Sequence, residues 1–364
     1  MKKMDQYIKS MNKAIRHIIR SALMTSLTDF TMLNAILKIS RFQKIARKRR
    51  QSYLTKGTHV PPFIILSITK TCNLSCRGCY MKAQNRTETK ELTIPEWKKT
   101  IHEIKEMGIG FVIIAGGEPL TKPDFFTITE KIREVIFPVF TNGILMDDNM
   151  INMFFRQKHV IPVISVEGQK PQTDWRRGEG VFESTCILFS KLRHKNIFFG
   201  ASLTVNKLNF EIVTDKSYIK TLIDSGCRVF FFLEYVAVES GSEDLVLTEE
   251  QCEHLAAFAA ELRRLFKGIF IAFPGDEKEF DGCLASGKGF VHINSSGDLE
   301  PCPLAPYSDT NLRETGLQKA LDSRFLASIR ANHEVLNEDR GGCALWVKRD
   351  IVEDLLHESK KKRA

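Results

Sequence analysis

The chain is poor in several features that would settle its class early. It has no run of about 18 apolar residues, the length a membrane-crossing helix needs, so nothing in it is expected to span a bilayer. No signal peptide is read in it, which argues for a reducing compartment rather than disulfides. Its nine cysteines, at 72, 76, 79, 186, 227, 252, 283, 302 and 343, are therefore expected to be reduced, with some binding metal, in a cytoplasmic protein. A C-x2-C pair never meets a second such pair, which removes the usual frame of a structural zinc site. Aromatics are sparse in the basic N-terminal stretch, essentially Tyr7, Phe30, Phe42 and Tyr53, so base stacking and a nucleic-acid partner are not expected.

What is present suits a large globular protein: 364 residues, 43% of them apolar. The charge is uneven. Residues 1–60 hold fourteen Lys and Arg against Asp5 and Asp29, a balance of +12, while the whole chain carries +9, so the remainder sits near −3. Within this stretch Met4, Ile8, Met11, Ile15, Ile18 and Leu23 recur at helical spacing with Lys9, Lys13, Arg16 and Arg20 opposite, and a second helix is expected over 32–50. Three uses are open for residues 1–50: packing on the catalytic body, pairing with another protomer, or lying on an anionic membrane surface. Packing is the plainest.

The most informative stretch is Cys72-Asn73-Leu74-Ser75-Cys76-Arg77-Gly78-Cys79-Tyr80, directly after the apolar run Phe63 to Ile68. That short, β-branched run reads as a buried parallel strand. Three thiolates in C-x3-C-x2-C spacing can hold three irons of a [4Fe–4S] cube and leave the fourth open to a chelating ligand. A zinc knuckle and three buried thiols are the rival readings.

Beyond it, strands alternate with helices. Thr93 and Glu96 have capping-box spacing before a helix that Gly108 ends, and a strand over 111–115 follows. Helices are expected at 123–134, 147–156 and 181–194, and strands at 136–140, 159–166, 197–205 and 228–234. Thr248 to Gln251 opens a further capped helix. Such alternation means βαβ units and a parallel sheet of six strands, counting the cluster strand. Polar strand ends are candidate ligand contacts: Thr141-Asn142, Ser165-Val166-Glu167, Ser202, Thr204 and Asn206. Each is equally suited to a cap or turn. Cys186, Cys227 and Cys252 read as ordinary buried thiols.

The cysteine loop and the Gly116-Gly117-Glu118-Pro119 turn together resemble the radical S-adenosylmethionine (SAM) superfamily, over most of residues 60–345. The resemblance implies an α/β fold with a partial (β/α)6 barrel. It also implies that Cys72, Cys76 and Cys79 hold a catalytic [4Fe–4S] cluster, whose reduction splits bound SAM into methionine and a 5′-deoxyadenosyl radical that takes hydrogen from substrate. By the same resemblance Gly116, Gly117 and Glu118 face the SAM amino group. Ser165 and Thr204 are the preferred ribose or carboxylate contacts. Arg177, in Asp174-Trp175-Arg176-Arg177-Gly178, is a bidentate partner for a SAM or substrate carboxylate, with an exposed loop arginine as the rival. Tyr80 is counted with the cofactor-binding residues. The residue before the third cysteine, often aromatic in the family, is here Gly78.

Past Gly268 the pattern changes. Phe290 to Asn294 and Leu299 to Cys302 flank a Gly297 turn as a β-hairpin that returns Cys302 toward Cys283, and two short helices follow around 317–326. Thirteen residues separate Cys283 from Gly297 and four separate Gly297 from Cys302, which resembles the SPASM/twitch extension of many radical SAM enzymes. That resemblance implies a second, auxiliary [4Fe–4S] cluster on Cys283, Cys302 and Cys343, its fourth ligand being substrate, water or a side chain such as Asp339. A zinc site on the same cysteines is the rival.

The expected organisation is a basic helical extension at 1–58, a barrel at 59–268, an auxiliary region at 269–348 and a basic tail at 349–364, in an enzyme that is cytoplasmic or peripheral at a membrane. Partners expected are SAM, a substrate of peptide, small-molecule or lipid and cofactor type, and a reductase, ferredoxin or flavodoxin-type electron donor. Residues 1–56 lack the strands of a leader-binding winged helix, which lowers a peptide substrate. The ending Lys-Lys-Lys-Arg-Ala differs from the Gly-Gly tail of molybdopterin-precursor cyclases. A non-catalytic Fe–S carrier or scaffold is the alternative. It predicts loss of the GGEP turn or of one loop cysteine, and all are intact.

Overall fold

The computed structural model describes residues 30–84, 90–273, 283–285, 289–332, 334–336 and 343–361, with Arg16, Arg20 and Leu23. The expected helix over 4–23 lies outside the described residues except at those three positions, which are helical.

Nine strands among the described residues form one sheet in the order β7-β6-β5-β4-β3-β2-β1-β8-β9. They are β1 Phe63–Ser67, β2 Phe111–Ala115, β3 Phe137–Thr141, β4 Val160–Ser165, β5 Phe199–Val205, β6 Cys227–Glu234, β7 Ile269–Phe273, β8 His292–Ile293 and β9 Leu299–Glu300. All neighbours from β7 through β1 to β8 run parallel, and β9 returns antiparallel to β8. The sheet is not closed, since β7 and β9 are its edges.

Six parallel strands were expected, and all are present. The seventh, β7, begins right after Gly268 and pairs with β6 from Val229↔Ile269 to Leu233↔Phe273. Its run Ile-Phe-Ile-Ala-Phe has strand composition. The sheet therefore continues across the boundary expected at residue 268, and the C-terminal hairpin joins it through β8, paired with β1 at Ile65↔His292.

One face of the sheet buries Ile64, Leu66, Val112, Ile114, Val139, Ile164, Ala201, Leu203, Phe230 and Phe232 against the helices. Helix Ile94–Glu106 carries the Thr93/Glu96 capping box and buries Trp97, Ile101 and Ile104. Helix Glu249–Leu265 carries a Thr248/Gln251 box and buries Leu255, Phe258 and Leu262. Such a box satisfies two backbone N–H groups that the first turn leaves unpaired. On the opposite face Val163, Val229, Phe231 and Ile269 pack with Ile36 and Leu23 of the N-terminal segment.

The helix expected over 32–50 runs from Phe30 to Thr55 and docks where helix Ile94–Glu106 leads into β2. Gln43 Nε2 donates to Gly110 O at 2.8 Å, Arg49 to Lys105 O at 3.1 Å, and Arg50 to Gly108 O. Two residues of the Arg47-Lys48-Arg49-Arg50 cluster thus cap the C-terminal end of helix Ile94–Glu106, where cations are favoured. Among the described residues no helix is long and apolar enough to cross a membrane.

Two local expectations need correction. In place of a continuous helix over 123–134 there is a 3-10 turn, Pro123–Phe125, that runs into a helix of one turn, Phe126–Thr129. The Thr129 hydroxyl and Gln157 Nε2 both donate to the Phe126 carbonyl, at 2.9 and 3.2 Å, and the β-branched run Thr127-Ile128-Thr129 disfavours continuation. Cys186 is exposed while Cys227 and Cys252 are buried. Helix Val181–His194 buries Thr185, Leu188, Phe189 and Leu192, and residue 186 lies off that face.

Candidate active site at the strand ends

The cysteine loop leaves the C-terminal end of β1 and is seated by the end of β2. Gly117 N donates to Thr69 O and Glu118 N to Thr71 O, both at 2.8 Å. A Cβ on Gly116, whose φ is +127°, would stand 2.4 Å from Thr69 O, and one on Gly117 would stand 2.2 Å from Thr71 O. Only glycine lets the two backbones approach this closely.

Glu118 turns its carboxylate inward, 1% exposed. It accepts from Thr141 Oγ1 at 2.7 Å, Asn142 N at 2.8 Å and Leu120 N at 2.9 Å. Burial pushes its pKa up, and these donors oppose the shift. A carboxylate offers about four lone-pair sites, so one is left for a further donor. Asn142 also reaches the cysteine loop, donating through Nδ2 to Asn73 Oδ1 at 2.8 Å.

The far side of the loop is held by helix Lys170–Arg177 and the segment after β6. Arg77 N donates to Arg176 O at 2.9 Å, and the Arg77 guanidinium lies 5.0 Å from the Trp175 ring centre. Gly78 N donates to Glu239 Oε2 at 3.1 Å. Cys72 is exposed as a residue, yet partial burial pushes its thiol up, with Glu118, Cys76 and Cys79 adding to the rise. Burial also raises the Cys76 thiol, against the pull of Arg177 and Arg176. The three sulfurs thus share one electrostatic neighbourhood.

Arg177, expected to bind a SAM or substrate carboxylate, donates through Nε to Glu167 Oε1 at 2.7 Å. Arg176 donates to the same oxygen at 2.7 Å and to Thr204 Oγ1 at 3.2 Å. Thr204 N donates to Glu167 Oε2 at 3.1 Å, and Glu167 is 1% exposed. One carboxylate between two guanidiniums leaves a net positive charge beside Cys76, and Arg176 Nε is buried without a partner among the described residues. Ser165 lies half-buried at the end of β4, opposite Ser202 of β5. Tyr80 opens helix Tyr80–Ala83 right after the third cysteine, and its carbonyl accepts from Gln84 N at 3.0 Å. Sequence reasoning missed the parts played by Asn73, Arg176 and Glu239. Of these only Arg176, adjacent to Arg177, carried a local signal.

Cys283 and Cys302 are buried and Cys343 half-buried, all within one apolar cluster with Leu284, Phe290 and Leu345. Cys302 and Cys343 are hydrogen-bonded. That bond, then burial, then the nearby Cys343 and Cys283 push the Cys302 thiol well up. Asp339 lies outside the described residues. Among the described residues no three His, Cys, Asp or Glu side chains are gathered as ligands of a single ion. Segments beside the two cysteine sets touch. Gln84 Nε2 donates to Pro303 O at 2.8 Å, and Trp346 Nε1 donates to Ala237 O at 3.1 Å.

The parallel α/β sheet carries the three-cysteine loop at its strand ends, and residues 66–211 match the family described as Radical SAM superfamily. The family implies a [4Fe–4S] cluster and SAM. The chain is similar to an AdoMet-dependent heme synthase of Methanosarcina barkeri, 28% identical over 287 residues, covering 71% of this chain and 81% of that one. It is also similar to the antilisterial bacteriocin subtilosin biosynthesis protein AlbA of Bacillus subtilis, 24% identical, covering 76% of this chain and 63% of that one. In fold it resembles Streptococcus suis SuiB bound to S-adenosylmethionine, with a TM-score of 0.64, 16% identity, and coverage of 78% of this chain and 72% of that one.

Proposed function

We propose that the chain cleaves SAM reductively at a [4Fe–4S] cluster held by Cys72, Cys76 and Cys79, abstracts hydrogen from a substrate, and carries a second [4Fe–4S] cluster on Cys283, Cys302 and Cys343. The observation that carries this reading is the seating of the three-cysteine loop on Gly116 and Gly117, with each glycine in a place no other residue fits. Cys72, Cys76 and Cys79 would hold the cluster, which would supply the electron for reductive cleavage of SAM and would be re-reduced by a reductase, ferredoxin or flavodoxin-type donor.

The residues present fit these groups. Three thiols meet the ligand chemistry of a cluster with one open iron. The guanidiniums of Arg176 and Arg177, only half neutralised by Glu167, favour the Cys76 thiolate and bind the carboxylate of SAM or substrate. The Gly116-Gly117 turn and the remaining lone pair of Glu118 accept from the SAM ammonium group. Ser165 and Thr204 line the same strand ends. The Methanosarcina relative favours a haem-precursor substrate and the Bacillus relative a peptide.

The test is iron and sulfide per chain after anaerobic reconstitution, for the intact protein and for a variant lacking Cys72, Cys76 and Cys79. About eight irons falling to about four is the expected result, as two thiolate-held cubanes require. An intact protein that stops near four, with none in the variant, removes the second cluster. No 5′-deoxyadenosine from the reduced, loaded protein overturns the whole reading.

A further inference from the structure

Tyr235 directly follows β6 and is fixed by its own N–H, which donates to Val205 O at 2.9 Å. Its side chain points at the cysteine loop. A Cβ built on Gly78 would stand 2.3 Å from Tyr235 Oη and 2.7 and 2.8 Å from ring carbons Cε2 and Cζ. The phenol therefore fills the volume that any side chain at position 78, between Cys76 and Cys79, would need. Gly78 has φ +64°, so the loop takes a backbone shape there that other residues resist.

The residue is 4% exposed, and its hydroxyl is buried without a hydrogen-bond partner among the described residues. A buried orphan hydroxyl lowers stability relative to phenylalanine and calls for an explanation. The surrounding chemistry supplies one. Tyr235 Oη is lodged against the residue next to Cys79 and two from Cys76. Thiolate and cluster sulfide are acceptors without a proton to give, and a phenol is a donor.

Resting on the reading above, we propose that Tyr235 is a positioning residue whose hydroxyl donates a hydrogen bond to a sulfur of the cluster on Cys72, Cys76 and Cys79, and so raises its reduction potential. The reduced cluster carries one more negative charge than the oxidised one. A donor at its sulfur is bound more tightly in the reduced state, and hydrogen bonds to the sulfurs are among the terms that set a cluster's potential. The ring, meanwhile, holds the loop in the shape that Gly78 permits.

The experiment is a potentiometric titration, followed by electron paramagnetic resonance, of the reconstituted protein and of Tyr235→Phe, read on the signal that responds to added SAM. The expected result is unchanged iron content and an about tenfold lower ratio of reduced to oxidised cluster at a fixed potential, equal to a negative shift of about 59 mV for a one-electron couple. A ring-fluorinated tyrosine at 235, a stronger donor, shifts the potential the opposite way. Full iron with an unchanged potential in Tyr235→Phe overturns the proposal alone. Weakened SAM binding at unchanged potential overturns it in favour of a contact with SAM. A parent protein with no SAM-responsive couple removes the functional reading as well.

Discussion

His292 Nε2 lies 2.8 Å from Ser67 Oγ, and its Nδ1 lies 2.7 Å from Glu300 Oε2. The imidazole is fully buried, with Glu300 2% exposed and Ser67 1% exposed. A carboxylate only accepts, which puts a proton on Nδ1. The chain ties β1, whose end carries the cysteine loop, to the hairpin that carries Cys302. Asn294 Nδ2 adds a bond to Glu300 Oε1 at 2.9 Å.

Removing the imidazole therefore leaves a buried carboxylate and hydroxyl without it. His292→Ala is expected to cost roughly 3–5 kcal/mol, the range for breaking one partner out of a buried pair. Replacing His292 and Glu300 together by leucine is expected to recover part of that loss, since no charge then stays buried. Urea unfolding of the parent and the two variants checks it. A His292→Ala protein within about 1 kcal/mol of the parent would mean the network is not a structural tie.

Gly117→Ala tests the seating of the cysteine loop. Its Cβ would meet the Thr71 carbonyl, a backbone atom that cannot swing aside. The expected cost is about 1–3 kcal/mol, as for overpacking. The segment that carries this carbonyl leads directly into Cys72, so the strain falls on the cysteine loop. Iron retention after reconstitution should fall while far-ultraviolet circular dichroism stays at the parent value. Full iron retention would show that the loop tolerates the shift.

Glu96, on helix Ile94–Glu106, couples that helix to helix Leu312–Leu321, which follows the hairpin. Its carboxylate accepts from Arg313 Nε at 2.8 Å and from Thr93 N at 2.7 Å, and these partners, Arg313 foremost, hold its pKa down to about 2. A carboxyl lowered in the folded state adds stability above its unfolded pKa of about 4.3, and that stability fades as the pH falls toward the folded value. The pair is part-exposed, so its worth is under about 1 kcal/mol. The melting-temperature gap between the parent and Arg313→Ala should be widest near neutral pH and narrow below about pH 4.5. A gap that stays constant on acidification would exclude the coupling.

Much of the scaffold was legible because it rests on short-range rules. The Thr93/Glu96 and Thr248/Gln251 boxes announce helix starts within four residues, and the β-branched run after Pro62 announces β1. The Phe126–Thr129 helix was overestimated because Gln157, 31 residues from Phe126, competes for its carbonyl. Cys186 was misplaced because a cysteine's burial depends on which helix face it occupies.

By itself, the sequence determined which atoms can do chemistry: three thiols in C-x3-C-x2-C spacing, a Gly-Gly-Glu turn after a strand, and three later cysteines around a hairpin. Ligand identity and spacing are local properties, so they survive without coordinates. The tertiary structure alone decided the partners. Arg177 meets Glu167, Glu118 meets Thr141 and Asn142, β8 lies beside β1, and Tyr235 fills the place beside Gly78. The physical reason is that most of these pairings join distant positions. Which donor a carboxylate or an orphan hydroxyl finds depends on how the strands line up, and no single segment records that.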